Sequence, residues 1–127
     1  MFEHKFLNEE KKLVLFKFSE IVTDDEFNNF VTTIDEYCCD TFYAIFDIDS
    51  IKGTKRTDIL EKAKFLFSKE EEFKKKILGL VVITKSYLLK KAIKFLFYLR
   101  KFNKNILITE NLEIGENFLY DIIYNEQ

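Results

Sequence analysis

The feature that most constrains this chain is a hydrophobic period that changes repeatedly along its length. Short apolar runs occur at Leu13-Val14-Leu15-Phe16-Lys17-Phe18, Phe42-Tyr43-Ala44-Ile45-Phe46-Asp47-Ile48, Ile77-Leu78-Gly79-Leu80-Val81-Val82-Ile83 and Asn105-Ile106-Leu107-Ile108-Thr109. Runs this short have the length of buried strands. Between them the apolar residues follow helical spacing: Phe27, Phe30, Val31, Ile34, Tyr37 and Cys38; then Ile59, Leu60, Ala63, Leu66, Phe67 and Phe73; then Leu88, Leu89, Ala92, Ile93, Leu96 and Leu99; and last Ile114, Phe118, Leu119, Ile122 and Ile123. Each set reads as one face of an amphipathic helix. A further short run, Phe2 to Leu7, precedes the polar tetrad Asn8-Glu9-Glu10-Lys11 and makes a β-hairpin with the run that follows.

Helix starts are marked independently of the stripes. Thr23-Asp24-Asp25-Glu26 has the form of a capping box, with its acids also placed against the helix dipole. Thr54 or Thr57, Thr84 or Ser86, and Asn111 stand where the later helices begin, and Asp49-Ser50 with Gly53 is expected to end the second long strand. The predicted order is β-β-α-β-α-β-α-β-α. Neighbouring strands joined by a helix must run parallel, because the crossover returns the chain to the same end of the sheet. The predicted fold class is therefore α/β: a mostly parallel sheet of four or five strands, an N-terminal hairpin and four helices, in one domain spanning residues 1–127.

Composition removes several functional classes. Net charge is −2, so no global basic field draws the chain to nucleic acid or to a membrane surface. No apolar stretch approaches the roughly 18–20 residues that span a bilayer, and the N-terminal residues lack a signal-peptide pattern. Cys38 and Cys39 are adjacent, which disfavours a mutual disulfide, and no second cysteine pair completes a zinc site. Reduced thiols and a cytoplasmic location are the expectation. His4 is the only histidine and has no neighbours spaced for metal binding or for a catalytic triad. Neither a cofactor nor a metal is expected.

Three regions remain as candidate sites. The first is the loop Asp47, Asp49, Lys52, Gly53, Thr54, Lys55, Arg56 and Thr57. It lies at the carboxyl end of a parallel strand, where open α/β sheets place ligands, and it leads into a helix N-terminus that favours anions. It lacks phosphate-loop spacing. The second is the pair Asp47 and Asp49, which could hold Mg²⁺ as in a receiver domain, with Thr84 as the downstream hydroxyl. A receiver also needs an acidic pair after its first strand, and here Ser19-Glu20-Ile21 follows a hairpin instead. The third is the segment from Lys85 to Lys104, which carries Lys90, Lys91, Lys94, Tyr98 and Lys101 among its cations and aromatics and has no acid. Phe95 and Tyr98 fall off its apolar stripe, so a basic, aromatic face is expected there.

The hairpin start, the element order and the stretch Phe46-Asp47-Ile48-Asp49-Ser50-Ile51 resemble the STAS family in its SpoIIAA-like branch. Asp47, Ile48 and Ile51 fit the family's strand end. Its phosphorylation motif is not kept: Lys55, Arg56 and Asp58 stand at motif positions of other types, and Thr57 is the one hydroxyl in register. The resemblance implies a mostly non-catalytic regulatory module that binds a protein partner or forms a homodimer. The alternatives are a domain for small anions or lipid-like ligands and, behind it, a Mg²⁺-dependent phosphoryl domain. Nucleic acid and peripheral membrane contact are not expected.

Overall fold

The computed structural model describes residues 2–37, 40–52, 56–68, 75–99 and 105–125. The strands are β1 (Phe2–Asn8), β2 (Leu13–Glu20), β3 (Phe42–Ile51), β4 (Ile77–Ile83) and β5 (Asn105–Thr109). Among the described residues four helices of 13 or 14 residues alternate with them: α1 (Asp24–Tyr37), α2 (Arg56–Ser68), α3 (Tyr87–Leu99) and α4 (Leu112–Asn125). The strands lie in chain order, β1-β2-β3-β4-β5. β1 is antiparallel to β2 and every other neighbour is parallel. The fold is thus α/β with a five-stranded mixed sheet.

This strand order dictates the layers. Right-handed crossovers that always step to the next strand in the same direction put their helices on one face. The first core joins Phe30, Val31 and Ile34 of α1 and Ile93, Leu96 and Phe97 of α3 to Val14, Phe16, Phe18, Ala44, Phe46, Leu80 and Val82, with Leu60 of α2 packed against it. Much of the phenylalanine content is explained here. The Phe16 ring meets Phe30 and Phe46 edge to face, at 5.5 and 5.6 Å, and Phe18 meets Phe30 at 4.9 Å.

The opposite face is covered by α4, which sets Leu119 and Ile123 on Leu13, Leu15, Tyr43, Ile45, Val81 and Ile83. Two glycines set how closely it sits. A Cβ at Gly79 would lie 2.8 Å from Leu119 Cδ2, and one at Gly115 would lie 2.7 Å from Val81 Cγ1. Each missing side chain makes room for an apolar residue of the other element.

Three helix starts follow the sequence signals. The Thr23 hydroxyl accepts from the Glu26 amide at 3.1 Å, and Glu26 accepts from the Thr23 amide at 3.5 Å. Ser86, rather than Thr84, caps α3 by accepting from the Leu89 amide. Asn111 caps α4 by accepting from the Glu113 and Ile114 amides. Other expectations need correction. β3 does not end at Asp49-Ser50 but runs to Ile51, because Ser50 and Ile51 pair with Ser19 and Glu20 of β2. Leu88 and Ile114 are exposed, at 58% and 54%, and Phe97 takes an inward place on α3. The proposed roles of Cys38, Cys39 and Phe73 fall outside the described residues.

Candidate functional site

At the carboxyl end of the sheet β3 carries a bulge. Lys17 pairs with Asp47 and Ser19 with Ser50, so two residues of β3 stand opposite one of β2. Ile48 and Ile51 therefore pack on the same core although they are three residues apart. Strict alternation would send them to opposite faces.

The bulge aims two carboxylates at nearby amides. Asp47 Oδ1 accepts from the Asp49 amide at 3.1 Å. Asp49 Oδ1 accepts from the Lys85 amide at 2.7 Å, and its other oxygen lies 3.8 Å from Lys85 Nζ. Thr84 is buried, its amide donates to the Thr109 carbonyl, and its hydroxyl accepts from the Ser86 amide. Asp49 thus ties the β3 end to the loop that starts α3, and Thr84 holds that loop to β5. Among the described residues no group of three or more His, Cys, Asp or Glu side chains is placed to hold a metal ion.

Lys52 continues the β2–β3 pairing by donating its amide to the Glu20 carbonyl at 2.8 Å. Its side chain is exposed. Gly53, Thr54 and Lys55 lie outside the described residues, and so does Lys101. Arg56 and Thr57 open α2. The structure therefore brings Asp47 and Asp49 together with Thr84 and Lys85, and it sets Lys52 at the strand end.

Beside the start of α2 lies an open groove of about 500 Å³, lined by Val22, Asp24, Phe27, Asn28, Asp58, Glu61, Lys62 and Phe65. Lys62 Nζ sits 3.0 Å from Asp24 and 5.1 Å from the Phe27 ring centre. Three carboxylates against one ammonium make the lining acidic. Sequence reasoning missed this groove, because Asp24 and Phe27 of α1 meet Asp58, Glu61 and Phe65 of α2 only through packing.

The third candidate, α3, divides into an inward and an outward face. α3 buries Leu89, Ile93, Leu96 and Phe97 and exposes Tyr87, Leu88, Phe95 and Tyr98, at 66%, 58%, 61% and 78%. Lys91 and Lys94 are exposed on the same helix, and Lys90 is half-buried. Lys91 Nζ stands 4.6 Å from the Tyr87 ring centre, a cation–π contact at the surface. Helical spacing sets Tyr87, Lys91, Lys94, Phe95 and Tyr98 on one outward stripe. No acidic residue interrupts α3.

Compared with known proteins, the chain matches no family model, no curated protein and no solved structure. Among the described residues no helix is long and apolar enough to cross a membrane.

Proposed function

We propose that this domain is a non-catalytic protein-interaction module of the SpoIIAA-like kind, and that it engages an acidic protein partner through the outward face of α3. The observation that carries the reading is the exposure of four large apolar side chains, Tyr87, Leu88, Phe95 and Tyr98, beside Lys91 and Lys94. Scattered apolar residues are ordinary on a surface, but a stripe of aromatics on one helix marks a contact site. Aromatic anchors supply contact area at small entropic cost, and the lysines select an acidic surface.

Two further observations support a protein over other partners. The apolar side that an interfacial helix would sink into lipid is already spent on the sheet core, through Leu89, Ile93, Leu96 and Phe97. The net charge of −2 gives no long-range pull toward anionic lipid or nucleic acid. The bonding of Asp47 and Asp49 to backbone amides supports a positioning role for these carboxylates.

A photocrosslinker placed at Tyr98, and at exposed Asp121 on α4 as a control, tests the reading in cells that express the protein naturally. A discrete adduct from position 98 alone, lost with Lys91→Glu/Lys94→Glu, is the expected result. Equal adducts from both positions, or adducts indifferent to the charge reversal, would overturn it.

A further inference from the structure

β1 ends the sheet, pairing along one side with β2. Its sequence is symmetric in character about His4. Phe2 and Phe6 are aromatic at equal distances on either side, and Glu3 and Lys5 are opposite in charge between them. We propose that β1 is the self-association edge of this protein, pairing antiparallel with β1 of a second copy about a two-fold axis at His4. The two five-stranded sheets then join as one sheet of ten.

Register carries the argument. Within one copy Phe2, His4 and Phe6 lie opposite Phe18, Phe16 and Val14, on the face of the three crossover helices. Glu3 and Lys5 lie opposite Lys17 and Leu15, on the α4 face. A two-fold axis normal to the sheet keeps both faces in place. Glu3 then faces Lys5 of the second copy while keeping Lys17 on its other side, and Phe2 faces Phe6 of the second copy. Opposite charges directly across an antiparallel pair are favourable and like charges are not. A slip of two residues in one direction sets Glu3 against Glu3, and in the other direction sets Lys5 against Lys5. One register alone is complementary.

The layers leave room for this. α1 leans toward this edge, in contact with β1 and with its Phe30 ring 5.5 Å from Phe2, and it also packs on Phe16 and Phe18 of β2. Its two copies would flank the axis at about two to three strand spacings, roughly 10–14 Å. Packed helices approach to about 8–10 Å, so the copies can sit side by side. α4 covers the part of its face formed by β3, β4 and β5 and stays clear of the new seam. Lysines on edge strands ordinarily guard against pairing, but a carboxylate at the symmetric position turns that guard into a selector for one partner.

Sedimentation equilibrium on the full chain tests the proposal. The unaltered protein should dimerise. Glu3→Lys and Lys5→Glu should each weaken the dimer tenfold or more, since each change turns both symmetric pairs repulsive. Circular dichroism should show both variants folded. An equimolar mixture of the two should recover the affinity as a mixed dimer, visible by native mass spectrometry, because the lysines of one chain then face the carboxylates of the other. Lys91→Glu/Lys94→Glu should leave the dimer intact, which separates this edge from the α3 face. A monomer at every concentration, a dimer insensitive to both single changes, or a mixture that fails to recover would each overturn the proposal.

Discussion

Replacing Gly115 with alanine places a methyl carbon 2.7 Å from Val81 Cγ1, with Val81 Cβ at 3.6 Å and Thr109 Cγ2 at 3.7 Å. Unstrained carbons stay about 3.5–4.0 Å apart, so α4 or Val81 must yield by roughly 1 Å. Val81 cannot yield cheaply: it is fully buried on a central strand, and its branched side chain is stiff at χ1. Overpacking of this kind costs about 1–3 kcal/mol. Against it stands the helix propensity gained on leaving glycine, about 1 kcal/mol. The expected net effect is a loss of roughly 0–2 kcal/mol, the difference of those two ranges. Urea unfolding followed by circular dichroism reads this as a lower midpoint at unchanged slope. The decisive measurement is the cycle with Val81→Ala. That change removes the clashing methyl groups, so Gly115→Ala made in its background should stabilise by about 1 kcal/mol, the propensity alone. If Gly115→Ala stabilises the unaltered protein by that amount, α4 does not approach the sheet as closely as the structure shows, and the reasoning fails.

Other expectations are more direct. Thr23→Ala removes the cap of α1 and should cost about 1 kcal/mol by thermal or urea unfolding, with Thr23→Ser close to neutral. Phe16→Ala empties the centre of the ring cluster and should cost about 3–5 kcal/mol, measurable as a large drop in the urea midpoint or as outright unfolding. Asp49→Ala should speed hydrogen exchange at the Lys85 amide, whereas Asp49→Asn keeps an acceptor there and should protect it better. Tyr98→Ser should change stability by less than about 0.5 kcal/mol, because its side chain is mostly in solvent, while abolishing partner adducts from a photocrosslinker placed at exposed Phe95 on the same face.

The candidate sites were legible to different degrees. Phe95 and Tyr98 were readable as outward residues, since they fall off the helical stripe. The rotation of α3 is less legible. Apolar spacing points Leu88 inward and omits Phe97, whereas packing exposes the first and buries the second, because an apolar helix offers several plausible faces and only docking selects one. Ile114 erred for the same reason on α4, where Gly115 rather than its larger neighbour meets the sheet. The extent of β3 was hidden by its polar end. Asp49 and Ser50 look like strand breakers, yet pairing with β2 carries the strand on through a bulge. No local pattern pointed to the acidic groove between α1 and α2, whose lining comes from segments some thirty residues apart.

By itself the sequence determined the order and type of the elements, the hairpin, the caps at Thr23 and Asn111 and the apolar identity of the strands. Those properties depend on neighbours within a few residues, and short-range sterics and solvation decide them. Only the tertiary structure decided which face each helix presents, how closely α4 meets β4 and where Asp49 sends its hydrogen bond. Those outcomes depend on residues brought together across the sheet, and hydrophobic burial is non-directional until packing gives it a direction.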